Sequence, residues 1–223
     1  MSEVVMAPGF YNMDCMEAMK QFPDKFFDLA IVDPPYGIGE NGIKNCTRSS
    51  LAESYNYKPF AGNDESAPEK SYFEELFRVS RNQIIWGANH FISRIPFDSH
   101  CWIVWDKENG KNDFADCELA WTNFKSAVRI FRFRWQGMLQ GNMKDKEKRI
   151  HPTQKPVKLY SWLLKHYAKP GDKILDTHVG SASSLIACHR AGLDFWGFEI
   201  DPIYFEKATE RLDRERAQMR MEF

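Results

Sequence analysis

The stretch FFDLAIVDPPYGIG, residues 26–39, joins an apolar run directly to an acid, two prolines and a tyrosine. Phe27, Leu29, Ala30, Ile31 and Val32 form the short hydrophobic string expected of a strand buried in a sheet, and Asp33 ends it. Each proline lacks an N–H and fixes its φ, so Pro34 and Pro35 predict a stiff loop whose carbonyl oxygens have no helical or ladder partner. A plain turn after a strand would have that form too. An acid and rigid acceptors at a strand end also suit a ligand that donates hydrogen bonds, and the Tyr36 ring offers a stacking surface to a planar one.

Downstream, strands and helices alternate. Residues 37–70 are rich in Gly, Asn and Ser and read as a long mobile loop. SYFEELFRVS has helical spacing at Phe73, Leu76 and Phe77, while NQIIWGAN and HCWIVWDK read as strands. In HPTQKPVKLYSWLLKHYAKPGDKILD, Pro156 marks a helix start, Leu159, Leu163 and Tyr167 mark its face, and Pro170-Gly171 stop it before a strand at 173–176. THVGSASSLIACHRAGLDFWGFEID then gives loop, helix, a terminator at Gly192 and a strand, and FEKATERLDRERAQMRMEF closes the chain as a charged helix. This alternation predicts an α/β fold, one domain over residues 1–223, with a mostly parallel sheet and helices on both faces.

In such sheets ligands sit beyond the carboxyl ends of the strands, which puts Asp33 and Asp176 on one edge. From Asp176 to Glu199 the chain has the layout of a nucleotide-binding βαβ unit: acid, small-residue loop GSAS, helix, and a second acid where ribose hydroxyls are held. A dinucleotide's pyrophosphate needs close backbone approach from several glycines, and here Gly180 stands alone beside Ser181, Ala182 and Ser183. NAD and FAD are disfavoured; a nucleoside cofactor without phosphates makes no such demand, and a purely structural βαβ unit has the same layout.

The 223 residues, 43% hydrophobic and 14% aromatic, suffice for one well-buried domain. Thirty Lys and Arg against 31 Asp and Glu leave a formal charge of -1, so affinity for nucleic acid would need clustered charge. Between Lys125 and Arg149 lie eight basic residues against the acids Asp145 and Glu147. There RIFRFRW, read as a strand, sets Arg132 and Arg134 on one face and Phe131, Phe133 and Trp135 on the other. An amphipathic surface strand and a phosphate-tracking surface both fit. Cysteines 15, 46, 101, 117 and 188 are scattered without CxxC spacing, which suggests neither a disulfide framework nor a zinc site and fits a reducing cytoplasm. No secretory leader or membrane span of ~20 apolar residues is expected.

The opening stretch has a chemical reading. The amino nitrogen of a base such as adenine is a weak nucleophile because its lone pair is delocalised into the ring. The Asp33 carboxylate and the Pro34 carbonyl could accept both amino hydrogens, favour a tetrahedral nitrogen and aim its lone pair at a sulfonium methyl. Asp33 could then take the released proton, and Tyr36 could stack on the base.

DPPY at 33–36, HPTQKP at 151–156 and LDTHVGSAS…GFEID at 175–201 together resemble the β-class DNA amino-methyltransferases, whose catalytic half precedes the cofactor half. The resemblance runs from NMDCMEAM to Arg211, and WGANHF (86–91) and VWDKENGKNDFADCELAWT (104–122) resemble blocks of small prophage-type members. It implies a Rossmann-like S-adenosylmethionine-dependent fold in permuted order. DPPY points to the N6-adenine branch, with DNA as the partner. By the same resemblance Asp33, Pro34, Pro35 and Tyr36 are catalytic. Asp14, Cys15, Asp33, His151, Thr153, Gln154, Lys155, Asp176, Gly180, Ser181 and Glu199 would bind S-adenosylmethionine. Asp14 reads equally as a helix N-cap, and His178 as a packing residue. The motifs offer no metal-ligand cluster.

Two departures stand out. The family loop reads D-P-F-x-G-S-G-T, whereas this chain has DTHVGSAS, with Thr177-His178 for Pro-Phe and Ala182 for the second glycine. Alanine replaces glycine readily where φ stays negative. Between Trp121 and His151 there is little room for a target-recognition domain, so reading of the DNA falls to 37–70, to 125–150 (with Arg129, Arg132, Arg134, Lys144, Lys146 and Lys148 as contacts), or to a homodimer mate or specificity partner. N4-cytosine methylation, methylation of protein or RNA amines, and a DNA-binding protein with a decayed cofactor site are the alternatives.

Overall fold

The computed structural model describes residues 6–39, 66–110, 115–136, 139–144 and 146–219. Most of the loop expected at 37–70, and Cys46 and Asp145, lie outside them. Ten strands and five α-helices occur among the described residues: β1 Gly9–Asn12, α1 Cys15–Met19, β2 Phe27–Val32, α2 Lys70–Val79, β3 Ser80–Trp86, β4 Trp102–Asp106, β5 Cys117–Thr122, β6 Arg129–Arg132, β7 Trp135–Gln136, β8 Leu139–Gln140, α3 Val157–Tyr167, β9 Lys173–Asp176, α4 Ser183–Arg190, β10 Asp194–Glu199 and α5 Pro202–Met219. Short 3-10 turns at Ala88–His90 and Ile92–Arg94 follow β3.

Eight strands form one sheet in the order β1-β10-β9-β2-β3-β5-β4-β6, and β7 and β8 pair separately as a hairpin. The sheet is parallel from β1 to β3; β5 runs antiparallel to both β3 and β4, and β6 again lies parallel to β4. A buried parallel strand needs apolar side chains on both faces, which is why β2 reads as an unbroken string. Leu29 and Ile31 enter one core with Ile84 and Trp86 of β3 and Leu159, Leu163, Ile186 and Leu212 from α3, α4 and α5. Ala30 and Val32 enter the opposite core with Ile85, Phe73 and Leu76 of α2, and Ala18 and Met19 of α1. Helices therefore cover both faces, as expected. Among the described residues no helix is long and apolar enough to cross a membrane.

The register aligns the carboxyl ends. Asn12 pairs with Glu199, Gly197 with Asp176, and Val32 with Ile85, while antiparallel β5 brings Ala120 opposite Trp86. One sheet edge thus collects the ends of β1, β10, β9, β2, β3 and β4, together with the start of β5.

RIFRFRW alternates as expected, with Phe131, Phe133 and Trp135 buried and Arg132 and Arg134 exposed. It is not one strand: β6 stops at Arg132 and β7 begins at Trp135.

Arg211 of α5 ties this region to the loop before α4. Its guanidinium donates to the Ser181 carbonyl at 2.7 Å, the Ser183 hydroxyl at 2.8 Å and Glu147 Oε2 at 2.7 Å, and Glu147 Oε1 accepts the first N–H of α3 from Val157 at 3.0 Å. Removing one member of a mostly buried pair leaves the other charge uncompensated. Arg211→Ala should cost roughly 3 kcal/mol of stability in urea unfolding, and adding Glu147→Ala should recover part of it. A loss below about 1 kcal/mol, typical of surface pairs, would contradict this bracing role.

Candidate active site

Asp33 leaves β2 at the centre of the carboxyl edge, with Pro34 buried and Pro35 and Tyr36 half-buried behind it. Its Oδ1 accepts the Tyr36 hydroxyl at 2.7 Å and its Oδ2 the Lys155 ammonium at 2.5 Å. Lys155 also reaches Glu118 Oε2 at 3.1 Å and the Tyr36 hydroxyl oxygen at 3.1 Å, and its Nζ lies 5.5 Å and 5.7 Å from the ring centres of Tyr36 and Trp86. Glu118 Oε1 in turn meets Lys107 Nζ at 2.5 Å. Two carboxylates and two ammoniums therefore form a compact, charge-balanced cluster.

The two acids are driven apart in acidity. Burial pushes Asp33 above the ordinary carboxylate range, and Lys155 offsets this only in part. Burial also acts on Glu118, but Lys155 and Lys107 outweigh it and hold that carboxyl down at about 2. The ammonium of Lys155 loses solvation, yet Asp33 and Glu118 keep its pKa raised. Carboxylates separated in this way take different roles, and Asp33 is the one suited to receive a proton.

Tyr36 is placed by a glycine. The ring lies so close to Gly87 that a Cβ there would stand 2.1 Å from it, and Gly87 has φ +67. The His90 ring stacks on Tyr36 with centroids 5.1 Å apart and planes 15° from parallel.

The loop after β9 forms the other half of the edge. Asp176 is buried; Oδ1 accepts the His178 N–H at 3.0 Å and Oδ2 the Ser184 hydroxyl, and burial raises its pKa to about 7. Gly180, at φ +56, donates its N–H to Glu199 Oε2 at 2.8 Å, and Glu199 Oε1 accepts from Asp201 N at 2.9 Å. The Ser181 hydroxyl meets that of Ser183 at 3.1 Å. Thr177 and His178 belong to a chain: Tyr72 of α2 shares a 2.7 Å hydrogen bond with the Thr177 hydroxyl, which lies 2.9 Å from His178 Nδ1. The His178 ring packs edge-on against Tyr72.

Other expected site residues divide into those facing this edge and those bracing it. Asp14 is the N-cap of α1, accepting from Met16 N at 2.8 Å and Glu17 N at 3.2 Å. Burial and the Asp14 charge push the Cys15 thiol up to about 12, so it stays protonated. His151 is buried against Tyr204, accepts from Thr153 at Nδ1, and is held neutral by burial, with its pKa near 3. The Gln154 side chain is spent on the preceding turn, bonding Ile150 N and the Lys148 carbonyl. Lys155 turns to Asp33 rather than along the loop after β9, because two carboxylates await it there.

Of the expected DNA contacts, Arg129, Arg132, Arg134, Lys144, Lys146 and Lys148 are all exposed, and Arg132 pairs with Asp106 at 3.4 Å at the carboxyl end of β4. Arg132 thus stands on the same edge. Glu118, Lys107 and Gly87 were not singled out from the sequence, because a reversed β5 brings Glu118 to the edge from the start of its strand.

The expectation for Ala182 needs correction. Its φ is +62, not negative, because the loop turns through the left-handed region to enter α4. That conformation costs an alanine about 1 kcal/mol, but its fully buried methyl contributes a similar amount to the core. Ala182→Gly should therefore change stability by under about 0.5 kcal/mol in urea unfolding; a loss above about 1.5 kcal/mol would show that packing dominates.

Burial also lowers His178 to about 4 from 6.5, so the unfolded chain binds more protons between those values and this residue's stabilisation is lost as pH falls through that window. His178→Phe should flatten the pH dependence of stability between pH 6.5 and 4. An unchanged slope would count against a buried neutral imidazole.

A family model described as DNA methylase matches residues 79–210, more than half of the chain. The Type II methyltransferase M2.MboI of Moraxella bovis is 24% identical over 96% of this chain and 91% of its own length, an alignment that extends to the amino-terminal side of the family match. The structure of an M1.HpyAVI–SAM complex superposes with a TM-score of 0.57 at 22% identity, covering 91% of this chain and 98% of that one. The PvuII cytosine-N4-specific DNA methyltransferase has a TM-score of 0.59 at 12% identity, covering 96% and 93%.

Proposed function

The chain belongs to the DNA methylase family, and from that premise we propose that it transfers a methyl group from S-adenosylmethionine to the N6 amino group of an adenine in DNA. The carrying observation is Asp33: a carboxylate with raised proton affinity, on a stiff Pro-Pro loop at the sheet edge, beside an aromatic ring and a buried ammonium.

The edge suits the cofactor chemically. Glu199, Asp176 and Asp33 end neighbouring strands, and this row of acids favours a ligand with hydroxyl donors and positive charge over one with phosphates. Glu199 would hold the ribose hydroxyls; Asp14 and Cys15 would border the adenine end, and His151, Thr153, Lys155, Asp176, Gly180 and Ser181 the remainder. Gln154 would shape the turn that carries His151 and Lys155. S-adenosylmethionine supplies, when bound, a methyl on a sulfonium whose carbon–sulfur bond electrons depart with the thioether sulfur.

The residues of the chain then handle the base. Turning the adenine out of the duplex costs a few kcal/mol, which stacking on Tyr36 would offset. The Asp33 carboxylate and the Pro34 carbonyl accept the two amino hydrogens and favour a tetrahedral nitrogen with its lone pair free. Asp33 takes the proton that the methylated nitrogen releases. The strip Arg129, Arg132, Arg134, Lys144, Lys146 and Lys148 follows the phosphates, giving a salt-dependent affinity despite a net charge of -1. N4-cytosine methylation would use the same acceptors, and the fold likeness to the PvuII enzyme keeps it as the second reading.

Asp33→Ala should abolish methyl transfer to DNA with the fold retained by circular dichroism and the melting temperature lowered, since Lys155 keeps only Glu118 as a carboxylate partner in the cluster; persistent turnover would remove Asp33 from the mechanism. Tyr36→Ala should raise the DNA concentration needed for half-maximal rate more than that of S-adenosylmethionine. Equal effects on both would contradict a stacking role.

A further inference from the structure

In the structure as it stands Asp33 is engaged. One carboxylate oxygen holds Lys155 and the other holds Tyr36. To accept an amino group, Asp33 must give up the ammonium, yet the Lys155 side chain is only 4% exposed and a buried cation cannot be left unpaired. A second anion lies within reach of the same nitrogen. Glu118 Oε2 stands 3.1 Å from Nζ, and the flexible four-carbon stem of lysine can pass the charge over with a small rotation.

We propose that Glu118 is a positioning residue that takes over the Lys155 ammonium when the target base arrives, thereby releasing the Asp33 carboxylate to accept the amino group. Lys107 sets how strongly it does so. Paired with Glu118 at 2.5 Å, Lys107 weakens the claim of Glu118 on Lys155 and so balances the ammonium between the two acids. No bond is made or broken in the hand-over; only ion-pair partners change. The inference rests on the methyltransferase reading above, since it assigns Asp33 to the amino group.

The hand-over predicts opposite effects from the two ends of the cluster, which a merely structural role would not produce. In Glu118→Gln, Lys155 has Asp33 as its sole carboxylate partner in the cluster, and kcat at saturating DNA should fall roughly tenfold or more. In Lys107→Met, Glu118 competes harder for Lys155, and kcat should rise about twofold. The dissociation constant for S-adenosylmethionine should hold in both, Glu118→Gln should fold with a lowered melting temperature because two ammoniums lose their shared carboxylate, and reading kcat at saturation removes any contact of Lys107 with DNA. Changes of kcat in the same direction, or an unchanged kcat in Glu118→Gln, would overturn the hand-over while leaving the methyltransferase reading intact. An unsubstituted protein that transfers no methyl to DNA would overturn that reading, and the hand-over with it.

Discussion

A desolvated ammonium held between two carboxylates is the constraint on which the catalytic edge depends. Lys155 could not be buried alone, since an unpaired charge in the interior costs several kcal/mol. Asp33 and Glu118 must therefore converge on it, which requires the end of β2, the start of β5 and the turn before α3 to meet. The sheet order satisfies this: β3 lies between β2 and β5, and Gly87 at its end leaves room for the Tyr36 ring.

The strand before Asp33 was legible because β2 is covered on both faces and so has no polar alternation to obscure it. The start of α3 after Pro156, the left-handed Gly192 after α4 and the alternation around Arg132 and Arg134 were legible for equally local reasons. Glu118 was not. Its role depends on β5 running against its neighbours, and a single acid at the head of a strand carries no local signal of direction. Lys155 is legible as a residue of this edge, but its ion pairs with Asp33 and Glu118 are not, because sequence gives no distance between Asp33 and the turn at 151–156.

The unusual loop DTHVGSAS shows how a departure from a family pattern is absorbed by its surroundings. Thr177 and His178 replace an apolar pair, and Tyr72 supplies the hydrogen bond and ring contact that make them fit. Ala182 occupies a conformation suited to glycine, with its methyl buried in the core and Arg211 holding the carbonyl of the preceding residue. The acids Asp176 and Glu199 hold the loop by accepting the N–H groups of His178 and Gly180.

The most direct test of the account is the identity of the methylated nucleoside. The purified protein would be incubated with unmethylated DNA and S-adenosylmethionine, the DNA digested, and the nucleosides separated by mass spectrometry. N6-methyladenine is the expected product. N4-methylcytosine would contradict the assignment of the base, and DNA bound but wholly unmodified would contradict catalysis by Asp33 altogether.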